Sequence, residues 1–181
     1  MTLIEAVVSL SLLTVIAGSV VSGLTFSRKM AESNLAQSYA QMTAQSIVEQ
    51  IVRVPTAILE DTTETGVRIL IPFVTTDNTV TMEDVEIPWA TTEAYSDLGP
   101  AEDPTLGVLV DAAYIANGNV IRPTRYMKMR VNLQRIVEAT EARTTIQLRY
   151  QWEIPDRKAS DGSPIYLSGE LRTVRSKAVS F

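Results

Sequence analysis

Glu5 stands at the head of a run, Ala6 to Ser27, that carries no charge and consists of Leu, Ile, Val, Ala, Gly, Ser, Thr and one Phe. An ionised carboxylate at the centre of a bilayer costs about 2.5–3.5 kcal/mol. A carboxylate in that setting therefore calls for a partner charge or for hydrogen-bond donors. The other acidic groups come in pairs: Glu60-Asp61, Glu83-Asp84, Glu102-Asp103 and the stretch Asp156 to Asp161. Paired carboxylates are Ca²⁺ ligands in principle, but none of these has the spacing of an EF-hand loop. Solvated loop charge is the plainer account of them.

Catalytic chemistry is thinly provided. The chain contains neither Cys nor His, which removes disulfides, thiolate and imidazole chemistry, and the commonest zinc ligands. Ser and Thr are plentiful, yet without His there is no Ser–His pair, and no G-x-S-x-G occurs. None of the lysines Lys29, Lys128, Lys158 and Lys177 lies in an apolar setting that would depress its pKa. No catalytic residue and no cofactor is implied. Net charge is −5, and beyond Arg28-Lys29 there is no basic run, so no nucleic-acid binding is evident.

These residues must be positioned by two elements. At 1.5 Å per residue, Ala6 to Ser27 makes a helix of about 33 Å, the thickness of a bilayer's hydrocarbon core. Small residues are frequent in it, and Ala17, Gly18, Ser22 and Gly23 would let helices approach closely. From Arg28 to Val54 the pattern becomes amphipathic. Leu35, Tyr39, Met42, Val48, Ile51 and Val52 recur at three- and four-residue intervals among polar residues, and Pro55 closes the helix. The expected organisation is a helix over 1–54, with 1–27 as membrane segment or filament core and 28–54 amphipathic, followed by a globular head over 55–181.

The first segment admits three readings. It is an ordinary membrane anchor; or it is a secretory signal, with Val15-Ile16-Ala17 near a cleavage point, although Glu5 puts negative charge where a basic region belongs. The third comes from the residues Thr2-Leu3-Ile4-Glu5, the unbroken apolar run and the amphipathic helix that follows. Over about 54 residues this resembles the mature N-terminus of the type IV pilins and the pseudopilins of type II secretion. The resemblance implies that Met1, Thr2 and Glu5 serve N-terminal processing and assembly. In that family a leader is removed, the new N-terminus is methylated, and its amine meets the Glu of a neighbouring subunit. Met1 stands where most members have Phe, and since Thr2 normally permits removal of an initiator Met, Met1 reads as the first residue of a processed chain. Ser22 stands where many members have the Pro of a stretch that unwinds; Gly18 and Gly23 disfavour helix there by about 1 kcal/mol each. The Cys loop found in many heads is excluded.

The head reads as β-rich. Met127, Met129, Val131 and Leu133 alternate with polar residues, as do Ile146, Leu148, Tyr150, Trp152 and Ile154, which predicts an antiparallel pair with one wet face. Weaker strands are expected over Val67–Val74, with Pro72 marking an edge, and over Val80–Ile87. Thr56 to Gly66 is expected as a polar connection, 88–107 as a long surface loop, and Leu106 to Ile115 as strand or short helix. Asn117-Gly118-Asn119 predicts a turn, Asp156 to Pro164 a charged loop, and Ile165 to Val179 a last strand or two broken near Gly169. The fold class is α+β, a long helix packed on an antiparallel sheet.

The resemblance implies a structural subunit of a type IV pilus-like filament. Its partners would be copies of itself, a prepilin peptidase and methylase, an assembly platform and an assembly ATPase. It would lie in the bacterial inner membrane before assembly and on the cell surface afterwards. A pseudopilin or minor pilin is the alternative within the family. A membrane-anchored periplasmic binding domain is the alternative from another class.

Overall fold

A computed structural model of the chain describes residues 2–61, 63–74, 80–99, 107–111, 114–116, 119–122, 125–138 and 143–176. The chain divides into two units, Met1–Leu35 and Ala36–Phe181. Helix α1 covers Leu3–Arg53. No proline interrupts it until Pro55, and Gly18 and Gly23 lie within continuous helix.

The last turn tightens, with Val54 N–H donating to Ile51 O at 3.0 Å. Pro55, which has no N–H to give, then serves as N-cap of a five-residue helix, α2, Thr56–Glu60. The expected polar connection after Pro55 thus contains a helical turn. Its Leu59 is fully buried while the adjacent Ile58 is exposed, so a single apolar anchor holds this turn.

In the second unit, the helix face toward the core is built from Ala36, Ala40, Ala44, Ile47 and Ile51. Spacings of four, four, three and four keep these side chains on one side. The three- and four-residue spacing points to Leu35, Met42 and Val52 as well, but all three are exposed, Met42 by 62%. Alanine explains the rotation. Three alanines in one stripe let the helix lie close to its neighbours with no side-chain entropy to lose, so the close face is the one with the smaller residues.

The main sheet runs in the order Pro164–Ser176 (β10), Arg143–Lys158 (β9), Met129–Glu138 (β8), Ser96–Leu98 (β3) and is antiparallel throughout. The expected alternation holds. Met129, Val131 and Leu133 on β8, and Ile146, Leu148, Tyr150 and Trp152 on β9, are all buried in one cluster with the helix residues. Three expectations are corrected. The 88–107 segment is not all loop, because β3 pairs with β8 through Leu98↔Met129 and buries Leu98. The Asp156 loop is shorter, since β9 continues to Lys158. The last strand is not broken at Gly169, which lies within β10 opposite Tyr150.

A second sheet pairs β1, Gly66–Val74, with β2, Val80–Pro88. Among the described residues it has only these two strands, so Pro72 sits at an edge as its missing N–H requires. Val67, Ile69, Ile71 and Ile87 join the core. Leu106 to Ile115 contributes strands rather than helix: β4, Val108–Asp111, and β5, Tyr114–Ala116. β4 pairs with β7, Arg125–Met127, and β5 with β6, Asn119–Arg122. Asn117-Gly118 and the Thr75–Thr79 turn lie outside the described residues.

Side chains tie the helix end to the sheets. The Arg175 guanidinium on β10 donates to Val54 O, and Arg135 donates to Leu59 O at 2.9 Å and Asp61 O at 2.7 Å. Both place positive charge at helix C-termini, where the dipole favours it. Gln50 completes an edge. Its Nε2 donates to Leu70 O at 2.9 Å and its Oε1 accepts from Leu70 N–H at 2.7 Å, so one side-chain amide stands in for a strand partner. Gln50→Ala is expected to cost about 1 kcal/mol, the net value of such bonds where water can replace them, and to speed deuterium exchange at the Leu70 amide. Unchanged exchange at Leu70 would show that the pair does not hold the hairpin.

Candidate functional site

The N-terminal unit carries the residues singled out as a site. Thr2 O accepts from Glu5 N–H at 3.0 Å and Ala6 N–H at 3.2 Å, which starts the helix. The Glu5 carboxylate in turn accepts from Thr2 N–H through Oε2 at 3.4 Å. This is the backbone half of a capping box: an acid at the third helical position reaching back to the capping residue. Thr-x-x-Glu ahead of an apolar run is a readable signal of it, and the reading of Glu5 as a lone costly charge passed over it. The structure thus brings Thr2 and Glu5 together; Met1 lies outside the described residues.

Beyond the cap the helix is exposed all round. Leu3 is 84% exposed, Phe26 65% and Met30 52%, and so are the Leu, Ile and Val residues between them. The helix is long and apolar enough to cross a membrane. Five of its hydroxyls are turned inward on the backbone. Ser9 donates to Glu5 O at 2.8 Å, Ser11 to Val7 O at 2.5 Å and Thr14 to Leu10 O at 2.8 Å. Ser19 and Thr25 each reach two carbonyls, Val15 O and Ile16 O, and Val21 O and Ser22 O. A hydroxyl satisfied this way no longer needs water, which hydrocarbon does not supply.

Of the four small residues expected to govern packing, Gly18 and Ser22 are four apart and share one side of the helix. Ala17 and Gly23 fall off that side. A Cβ built on Gly18 or Gly23 meets nothing within 4 Å, so neither glycine is needed for contacts within its own chain.

The other candidate groups are spent locally. Asp61 accepts from Thr63 N–H at 2.9 Å and Thr63 Oγ1 at 2.7 Å, and these bonds hold its carboxyl below the usual range. Asp84 pairs with Arg68 at 3.3 Å. Glu102-Asp103 lies outside the described residues, and no group of three potential metal ligands occurs among those described. A cleft of about 290 Å³ is walled by Asp97, Lys128, Arg130 and Tyr166 over Leu98 and Met129. There Arg130 Nε donates to Asp97 Oδ1 at 2.7 Å and its guanidinium lies 4.6 Å from the Tyr166 ring centroid. The cleft's main polar groups therefore answer one another rather than converge on a ligand.

Comparison with known protein families, characterised proteins and solved structures finds no match to this chain.

Proposed function

We propose that this chain is a structural subunit of a type IV pilus-like filament with a pilin-like fold, polymerised through its N-terminal helix. The observation that carries the proposal is the helix itself. It bears one carboxylate at its start, an apolar surface exposed from Leu3 to Phe26, and five hydroxyls already satisfied on their own carbonyls. Such a helix needs lipid or other helices around it along its whole apolar length. In this reading the subunit waits in the inner membrane after leader removal and N-terminal methylation. Partner proteins, an assembly platform and an ATPase, then move it into the polymer, and the subunit itself holds no cofactor. The pseudopilin and minor-pilin roles use the same helix in shorter or less abundant assemblies.

One observation favours a plainer reading, a membrane-anchored binding domain. The capping box gives Glu5 a partner within its own chain, so a neighbour's amine is not the sole account of the residue. Glu5→Gln separates the two, because Gln also serves at that position of a capping box but carries no charge. If Glu5 only caps, Glu5→Gln should match wild type in helicity and membrane insertion, and so should any cell-surface polymer. If Glu5 answers a neighbour's positive charge, sheared cell-surface material viewed by electron microscopy should hold filaments for wild type and few or none for Glu5→Gln. Wild-type material without filaments, or full filament yield from the variant, would sink the assembly role.

A further inference from the structure

The tip of the β9–β10 hairpin contains an Asp–Gly step, Asp161–Gly162, exposed to solvent. Such a step is open to backbone isomerisation, because glycine has no Cβ to shield its nitrogen. The chemistry needs no oxidant or cofactor. The Gly162 backbone nitrogen attacks Asp161 Cγ; the new C–N bond closes a five-membered imide as one carboxyl oxygen leaves as water, taking the amide proton and the acid proton. Water then adds to either imide carbonyl. Opening at one regenerates aspartate; opening at the other leaves the chain running through Cγ as isoaspartate, with no net change of mass. Attack requires a free nitrogen, a reachable Cγ and a carboxyl that can lose its oxygen as water.

The turn opposes each requirement. The Gly162 N–H is held on Ala159 O at 3.0 Å, and Ala159 N–H on Ser163 O at 2.8 Å. The Asp161 carboxylate is bonded instead to Ser163, two residues on. Its Oδ1 accepts from Ser163 N–H at 2.9 Å and from the Ser163 hydroxyl at 2.6 Å. Gly162 is fixed at φ +83°, a left-handed conformation that suits the hairpin loop. We infer that Asp161–Gly162 is a latent isomerisation site kept closed by Ser163, which holds the carboxylate away from the Gly162 nitrogen. The same two bonds keep the carboxyl below its ordinary pKa, and so in the ionised form that expels oxygen poorly.

The test follows isoaspartate at position 161 by mass spectrometry of proteolytic fragments during incubation of the detergent-solubilised full chain. A synthetic peptide of residues 159–165 serves as the unrestrained reference. The wild-type chain should isomerise at least about tenfold more slowly than the peptide, and Ser163→Ala should recover much of that factor, in keeping with loss of one hydrogen bond to a charged group. Ser163→Thr, which retains a hydroxyl, should stay slow. Thermal melts of the three chains should coincide, which separates loss of the tether from loss of the hairpin. Peptide-like rates in the wild-type chain would overturn the inference, and so would a Ser163→Ala chain that melts as wild type and isomerises no faster.

Discussion

If the chain polymerises as proposed, Gly18→Leu and Ser22→Leu are each expected to enter the membrane as well as the wild-type chain does and to yield few filaments. Leu at the centre of a spanning helix favours insertion by about 0.3–0.6 kcal/mol, and replacing Gly18 removes a helix penalty of about 1 kcal/mol. A side chain at position 18 also meets nothing within its own chain. At position 18 no term internal to the subunit is unfavourable, so a deficit there must come from other molecules. Overpacking a fitted contact costs about 1–3 kcal/mol, and a polymer would repeat that cost at every subunit. The measurement pairs membrane fractionation with shearing and microscopy. Wild-type filament yield from both variants would return the segment to a simple anchor, whose lipid surroundings register hydrophobicity and length and little else.

Gly169→Val is expected to destabilise the β-rich unit by about 1–3 kcal/mol. Valine is otherwise the better strand residue, and away from a contact the exchange would gain up to about 1 kcal/mol. The sign is decided by Tyr150. A Cβ at position 169 would lie 2.4 Å from Tyr150 Cζ and 2.5 Å from its hydroxyl oxygen. That ring is buried and stacked on Trp152 with centroids 5.8 Å apart, so it gives way only by leaving the core. In a unit of this size the loss corresponds to a Tm lower by several degrees, read from near-ultraviolet circular dichroism of the detergent-solubilised chain. Adding Tyr150→Leu to Gly169→Val should bring the two substitutions closer together than their separate costs predict, because the shorter side chain vacates the space. A Tm at or above wild type for Gly169→Val alone would refute the contact.

The same glycine shows where a sequence reading fails. A Gly inside a strand pattern ordinarily signals a bulge or a break, and nothing local tells that a tyrosine nineteen positions earlier fills the gap. The long-period features were legible. Alternation over Met129–Leu133 and Ile146–Trp152 placed the central strands on the correct face, and the uncharged run placed the helix. Leu98 was hidden as a single apolar residue between Asp97 and Gly99-Pro100, buried by long-range pairing, and Leu59 because Ala57-Ile58-Leu59 is too short an apolar run to mark a turn of helix. The alanine face of the helix was missed for a different reason: periodicity weighs large side chains, whereas close packing selected small ones. At the candidate site, the exposed apolar surface and Glu5 were visible from residue types alone. The capping role of Glu5 was visible too, in the three-residue spacing from Thr2, but a costly charge drew the weight of the reading.

The hydroxyl ladder of the first helix has a consequence for changes of surroundings. Each of Ser9, Ser11, Thr14, Ser19 and Thr25 has its donor lodged on a carbonyl of the preceding turn. None of these bonds has to be exchanged when the helix leaves one medium for another. Seen from outside, its Ala6–Phe26 stretch offers lipid tails and protein side chains nearly the same nonpolar exterior, and the difference in free energy between the two settings reduces to shape fit and dispersion. A segment so insulated is solvent-indifferent between membrane and protein while remaining strongly averse to water, and what would decide its final location is the fit of its neighbours.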